Sequence, residues 1–186
     1  MRLFLTRHGE TDFSLNNTVC GSTDCPLTDK GREQARDLAD YIKGKGLYIA
    51  VIYSSPLVRA RETAEIISKA ISAPVIVDDR LREQSCGAYE GVTKRDDQEF
   101  NRAIKHFANR LQGGDSALQL AQRVYNFLDE ICVDGGKSAS LIVGHVCVCR
   151  MVHTYFNEIS NDEYFGYLQG TCTLAEYDMR SGITQA

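Results

Sequence analysis

Two histidines in this 186-residue chain each follow a short apolar run, and each has a glycine beside it. Leu3-Phe4-Leu5 leads into Thr6-Arg7-His8-Gly9-Glu10-Thr11, and Leu141-Ile142-Val143 leads into Gly144-His145. A third apolar run, Ile49 to Tyr53, leads into Ser54-Ser55-Pro56-Leu57, with Arg59 and Arg61 just beyond. Arginine carries a planar fork of donors that matches the oxygens of a phosphoryl group, and imidazoles beside it suit the same ligand. Arg7, Arg59, His8 and His145 would therefore hold a phosphoryl group if the three runs lay side by side.

Segments of helical pattern separate these runs. From Lys30 to Lys43, Ala35, Leu38, Ala39 and Ile42 recur at helical spacing. A second helix follows Pro56, which suits a first turn, and carries Ala60, Ala64, Ile67 and Ile71 on one face. Val75-Ile76-Val77 reads as a strand, and Leu81 to Asp97 as an irregular stretch with Gly87 and Gly91. Helices are expected over Asp97–Leu111 and Ser116–Cys132, separated by Gly113-Gly114, with Asp115 or Ser116 capping the second. Ser140 to Val143 is a further strand, Cys147 to Phe156 a helix, and Thr171 to Tyr177 a last strand. This alternation predicts one α/β domain over residues 1–186, a three-layer αβα sandwich around a mainly parallel sheet. Ligands of such sheets sit beyond the carboxyl ends of the strands, which is where both histidines fall.

Composition narrows the function. The chain is 43% hydrophobic and 25% charged, with a net charge of -4, so it offers no general basic field for nucleic acid or an anionic membrane. An anion must be held by a local cluster of donors. No apolar run approaches the roughly 20 residues needed to cross a bilayer. The opening strand runs directly into charged residues, so no leader is expected. Seven scattered cysteines fit thiols kept reduced in a cytoplasmic setting. Cys20/Cys25 and Cys147/Cys149 lack metal-finger spacing, and neither a metal nor a cofactor is expected. Gly135-Gly136-Lys137-Ser138 has the look of a P-loop end, but Ile131 stands where the leading glycine belongs and the run precedes a strand; it reads as a turn.

Arg7-His8-Gly9-Glu10-Thr11 resembles the signature of the histidine phosphatase superfamily, also called the phosphoglycerate mutase-like family. Four more blocks resemble that family in order. They are Asp24-Cys25-Pro26-Leu27-Thr28 with Gly31 and Gln34-Ala35; Ser54 to Ala60 with Glu62-Thr63-Ala64; Leu81-Arg82-Glu83 with Gly87 and Glu90-Gly91; and Val143-Gly144-His145. The resemblance implies that His8 is the nucleophile, kept neutral by Arg7 beside it, and that Arg7, Arg59 and His145 bind the phosphoryl oxygens. It implies that Glu83 protonates the leaving oxygen and then activates water. Arginines would supply the positive charge that Mg²⁺ supplies elsewhere.

The departures from the family pattern bear on the substrate. Where many members carry an asparagine six residues after the nucleophile, this chain has Ser14; Asn17 matches another common asparagine and is the candidate donor. Mutases follow the acid with Arg and Tyr for a substrate carboxylate; here those positions hold Gln84 and Cys86. Lys94 stands where mutases place a substrate-binding lysine. Ser14, Gly21 and Lys94 complete the candidate substrate contacts. The expectation is a phosphomonoesterase acting on a small phosphorylated metabolite, with mutase chemistry or non-catalytic phosphate binding as the alternatives.

Overall fold

The chain's own alternation along its first strand sorts the core into two layers. In the computed structural model, which describes residues 2–133 and 139–178, Leu3 and Leu5 point to one face and Phe4 to the other. The turn expected at Gly135 to Ser138 lies outside the described residues. Elements follow in the order β1 (Arg2–Arg7), α1 (Asp12–Leu15), α2 (Asp29–Gly44), β2 (Val51–Ser54), α3 (Val58–Ile71) and β3 (Val75–Val77). Then come α4 (Gln98–Ala103), α5 (Ala117–Val133), β4 (Ser140–Gly144), α6 (Val146–Phe156), α7 (Asn161–Gly166) and β5 (Ala175–Asp178).

The five strands form one sheet in the order β3-β2-β4-β1-β5. All pairs are parallel except β1 with β5. Leu38, Ala39 and Ile42 of α2 and Ala60, Ala64 and Ile67 of α3 pack with Phe4, Leu141 and Val143 on one face. Leu120, Val124, Phe127 and Leu128 of α5 and Val148 and Val152 of α6 pack with Leu3, Leu5 and Ile142 on the other. This is the expected layered α/β architecture. Register brings Arg7 opposite Gly144, and Tyr53 and Ser54 opposite Ile142 and Val143. The three strands that lead into the candidate residues are thus adjacent, with β4 in the middle. No helix among the described residues is long and apolar enough to cross a membrane.

Three boundaries differ from expectation, each for a local reason. Helix α3 starts at Val58, leaving Pro56 outside its first turn; Asp24 Oδ1 caps it from a distance by accepting Val58 N–H at 2.7 Å. The segment expected as one helix over Asp97–Leu111 is helical only across α4. Phe100 and Leu111 turn into a separate cluster with Val19, Cys86 and Tyr89, so the segment wraps over a loop layer and has no continuous face on the sheet. The last strand begins at Ala175, because Cys172 takes a left-handed φ of 50°. Ser116, as expected, caps α5: its hydroxyl accepts Gln119 N–H at 3.2 Å while Gln119 Oε1 accepts Ser116 N–H at 2.9 Å.

Candidate active site

His8 sits one residue past β1 and extends its ladder, donating its N–H to Gly144 O at 3.0 Å. Its ring Nδ1 lies 2.7 Å from Gly9 O. A carbonyl can only accept, so Nδ1 carries the proton and Nε2 keeps its lone pair. Burial and the charges of Arg7 and Arg59 hold the imidazole well below the ordinary histidine range. The ring is therefore neutral at pH values where an exposed histidine would be charged.

The signature around it is a set of brackets. Gly9 N–H donates to Thr63 Oγ1 at 3.1 Å, and Thr63 hydroxyl donates to Arg59 O at 2.8 Å. Glu10 accepts from Thr28 hydroxyl at 2.8 Å, and its N–H donates to Gln34 Oε1 at 2.9 Å. A Cβ on Gly9 would overlap the Gly31 carbonyl, and one on Gly31 would overlap Glu10 O. The loop after β1 and the start of α2 thus touch backbone to backbone, which only glycine permits.

Four basic side chains surround His8. Arg7 is 6% exposed and its Nε has no partner; burial and the charge of Arg95 push it below the usual arginine value. Arg59, 1% exposed, donates to Gly21 O at 2.7 Å and Thr23 O at 2.8 Å, and its Nε is unpartnered. His145 follows β4 and is fully buried, its ring centroid 5.1 Å from that of His8. Neither of its ring nitrogens has a partner among the described residues, and burial, then Arg59 and His8, hold it well below the ordinary range. A buried polar group left unsatisfied costs about 1–3 kcal/mol, and the two guanidinium Nε–H groups with one His145 N–H are donors that an anion's oxygens could accept from. Arg95, which sequence reasoning passed over in favour of its neighbour Lys94, lines the same cavity and donates from Nε to Thr18 O at 3.1 Å.

Glu83 faces these cations and is 8% exposed. One carboxylate oxygen accepts Gln84 N–H at 2.9 Å and the other accepts Cys147 N–H, in the first turn of α6, at 3.1 Å. Arg123 of α5 steadies this segment by donating to the carbonyls of Arg80, Arg82 and Glu83. Nothing in the α5 sequence distinguishes Arg123 from a solvated helix charge.

The cavity measures about 350 Å³, and Arg7, His8, Arg59, Glu83 and Arg95 are among the residues that line it. Asn17 and Gly21 also line it, and the fully buried His145 ring packs against that of His8. Ser14 and Lys94 are not brought to the lining. Ser14 closes a capping box with Thr11, and Lys94 donates from Nζ to Asn16 O at 2.8 Å. Among the described residues no cluster of three or more His, Cys, Asp or Glu is placed to hold a metal ion.

Glu90 ties two walls of this cavity together. Its carboxylate accepts Ser22 N–H at 3.0 Å, Thr23 N–H at 2.8 Å, Thr23 hydroxyl at 2.6 Å and Cys86 N–H at 2.7 Å. Burial alone would raise its pKa, but these donors outweigh it and the net shift is downward. A depressed carboxylate stabilises the fold above its unfolded pKa of about 4.3 and ceases to do so as pH falls through the folded value. Glu90→Gln should therefore lower stability by about 1–3 kcal/mol at pH 7, with the difference from wild type shrinking as pH drops below about 4. Urea titrations at several pH values measure both quantities; a difference that does not change with pH would contradict the role given to the charge.

The profile of the histidine phosphatase superfamily (branch 1) matches residues 3–185. Among curated proteins, the probable phosphoglycerate mutase GpmB of Escherichia fergusonii is 33% identical over 151 residues, covering 78% of this chain and 69% of that protein. The bifunctional protein Rv2228c of Mycobacterium tuberculosis is 34% identical over 156 residues, which is 81% of this chain but 43% of that protein. Among solved structures, mycobacterial glucosyl-3-phosphoglycerate phosphatase Rv2419c with VO3 superposes with a TM-score of 0.82 at 25% identity, covering 97% of this chain and 94% of that one. A phosphoserine phosphatase variant from Entamoeba histolytica in complex with phosphoserine gives 0.81 at 26% identity, covering 97% and 92%.

Proposed function

Since the chain belongs to the histidine phosphatase superfamily, we propose that it is a metal-independent phosphomonoesterase working through a phosphohistidine on His8. The observation that carries this reading is the pinned tautomer of His8, with Nδ1–H on Gly9 O and a free lone pair on Nε2 among buried guanidiniums. In the first half-reaction Nε2 bonds to phosphorus, the bond from phosphorus to the ester oxygen breaks, and Glu83 gives that oxygen its proton. Arg7, Arg59 and His145 donate to the phosphoryl oxygens as charge builds on them. Asn17 and Arg95 extend this donor set. In the second half-reaction water attacks phosphorus while Glu83 takes its proton, the Nε2–P bond breaks, and inorganic phosphate leaves.

Mutase chemistry is the second reading, favoured by the names of curated relatives such as GpmB. Hydrolysis is preferred because Gln84 and Cys86 replace the carboxylate-binding pair, and Gln84 Nε2 is engaged with Asp115 O at 3.2 Å. Incubation with 3-phosphoglycerate separates the two: 2-phosphoglycerate marks a mutase, phosphate and glycerate a phosphatase. A reducing compartment such as the cytoplasm suits the seven free thiols.

Turnover of an aryl phosphate should survive a strong chelator and be inhibited by vanadate, which mimics five-coordinate phosphorus. Phosphate release followed with and without chelator decides this. Loss of activity with chelator and recovery with Mg²⁺ or Zn²⁺ would refute the metal-independent mechanism.

A further inference from the structure

The cavity that holds the cations also has an apolar lining. Phe100, Ile104 and Leu111, from α4 and the turns after it, Val146 at the start of α6, and Phe165 and Leu168, from α7 and beyond, line it as well. Phe100 and Leu111 are 7% and 3% exposed, whereas Leu168 at 64% is among the most exposed large apolar residues. Three segments distant in sequence thus contribute apolar side chains to the same cavity that Arg7, His8 and Arg59 line.

Asn101 is the polar side chain set among these residues, while Arg150, Gln84 and Cys86 are committed in large part to the protein's own backbone. Arg150 donates from Nε to Tyr167 O at 3.0 Å and from Nη2 to Phe165 O at 2.8 Å, and its guanidinium lies 5.7 Å from the Tyr164 ring centroid. Those bonds bracket the segment that carries Phe165 and Leu168. Gln84 is held by Asp115 O, and the Cys86 thiol is directed to Gln84 O. A leaving group with its own carboxylate or several hydroxyls would lose water here and meet hydrocarbon, which is costly. At about 350 Å³ the space also exceeds what a phosphoryl group and a three-carbon acid would fill.

We propose that the substrate is a phosphate monoester of an apolar, ring-bearing alcohol or phenol, and that Phe100, Phe165 and Leu168 select it. This inference rests on the hydrolase reading above. It takes the phosphoryl group to sit at His8 and assigns the rest of the cavity to the leaving group.

The test compares 2-phenylethyl phosphate with glycerol 3-phosphate, both esters of primary alcohols, so that leaving-group chemistry contributes little to the difference. 4-Nitrophenyl phosphate serves as a check that the enzyme is active. The value of kcat/KM should be about 10–10²-fold higher for the phenylethyl ester, the worth of burying a phenyl-sized group. Leu168→Asp, at an exposed position, should narrow that ratio at least about threefold, mainly by raising KM for the apolar ester. Equal or reversed preference, with both esters hydrolysed, would overturn the inference and leave the hydrolase reading standing. An unchanged ratio in Leu168→Asp would remove Leu168 from the selecting set and count against this placement of the leaving group. Failure to hydrolyse any of the three esters would overturn the hydrolase reading, and this inference with it.

Discussion

His8→Ala should leave a folded protein that neither accepts phosphate nor turns over substrate. The expected loss is about 10⁴–10⁶-fold in kcat, in line with removal of a covalent nucleophile. The fold should persist because the His8 side chain makes one hydrogen bond, to the carbonyl of its own neighbour, and the strand before it is held through backbone pairing. Wild-type enzyme mixed with labelled substrate and quenched in base should retain label, while an acid quench should lose it, since a phosphoramidate is acid-labile. His145→Ala should keep a weaker label and turn over about 10²–10³-fold more slowly, the usual effect of losing a transition-state donor. Label on His145, or on a cavity cysteine such as Cys20 or Cys147, would reverse these roles. Full activity in His8→Ala would end the mechanism.

The second large effect is expected from Glu83→Gln. Both carboxylate oxygens receive backbone N–H donors, so the amide must turn an NH₂ toward one of them and lose that bond. The fold should pay about 1–3 kcal/mol for the unmet donor, which thermal unfolding will record separately from catalysis. Turnover of alkyl phosphates should fall about 10²–10⁴-fold, because their leaving oxygen needs a proton as the bond to phosphorus breaks. A nitrophenyl ester, whose leaving group departs as a stable anion, should lose much less. Equal losses on both classes of ester would make Glu83 a structural residue.

The parts of the site that were legible in the sequence are those fixed by strand ends. His8, Arg7 and His145 follow or end apolar runs that the α/β alternation assigns to one sheet, their adjacency coming from the structure, and Arg59 is the second residue of the helix after the third run. What remained hidden was contributed by irregular chain, where side-chain direction has no period to read. Arg95, and not Lys94, reaches the cavity because the backbone there bridges to Thr18 and turns Lys94 toward Asn16. Ser14 is drawn into capping a four-residue helix. Arg123 steadies the acid segment from a helix whose pattern marks only its apolar face. Family blocks that suggested chemistry include several residues whose visible work is mechanical: Asp24 caps α3, while Glu10, Thr28 and Thr63 clamp loops.

The position of β4 in the sheet has a consequence for how the molecule comes into being. Strands β1 and β2 flank β4 and have no pairing with each other. As the chain leaves the ribosome, the ladders of β1 and β2 to β4 can form only once residues near 140 have been made. Such distant parallel pairing is slow, because a long loop must close before any contact rewards it. His8 and His145 therefore cannot come together before the second half of the chain has been made, and a partly made chain carries His8 without the neighbour that β4 brings to it.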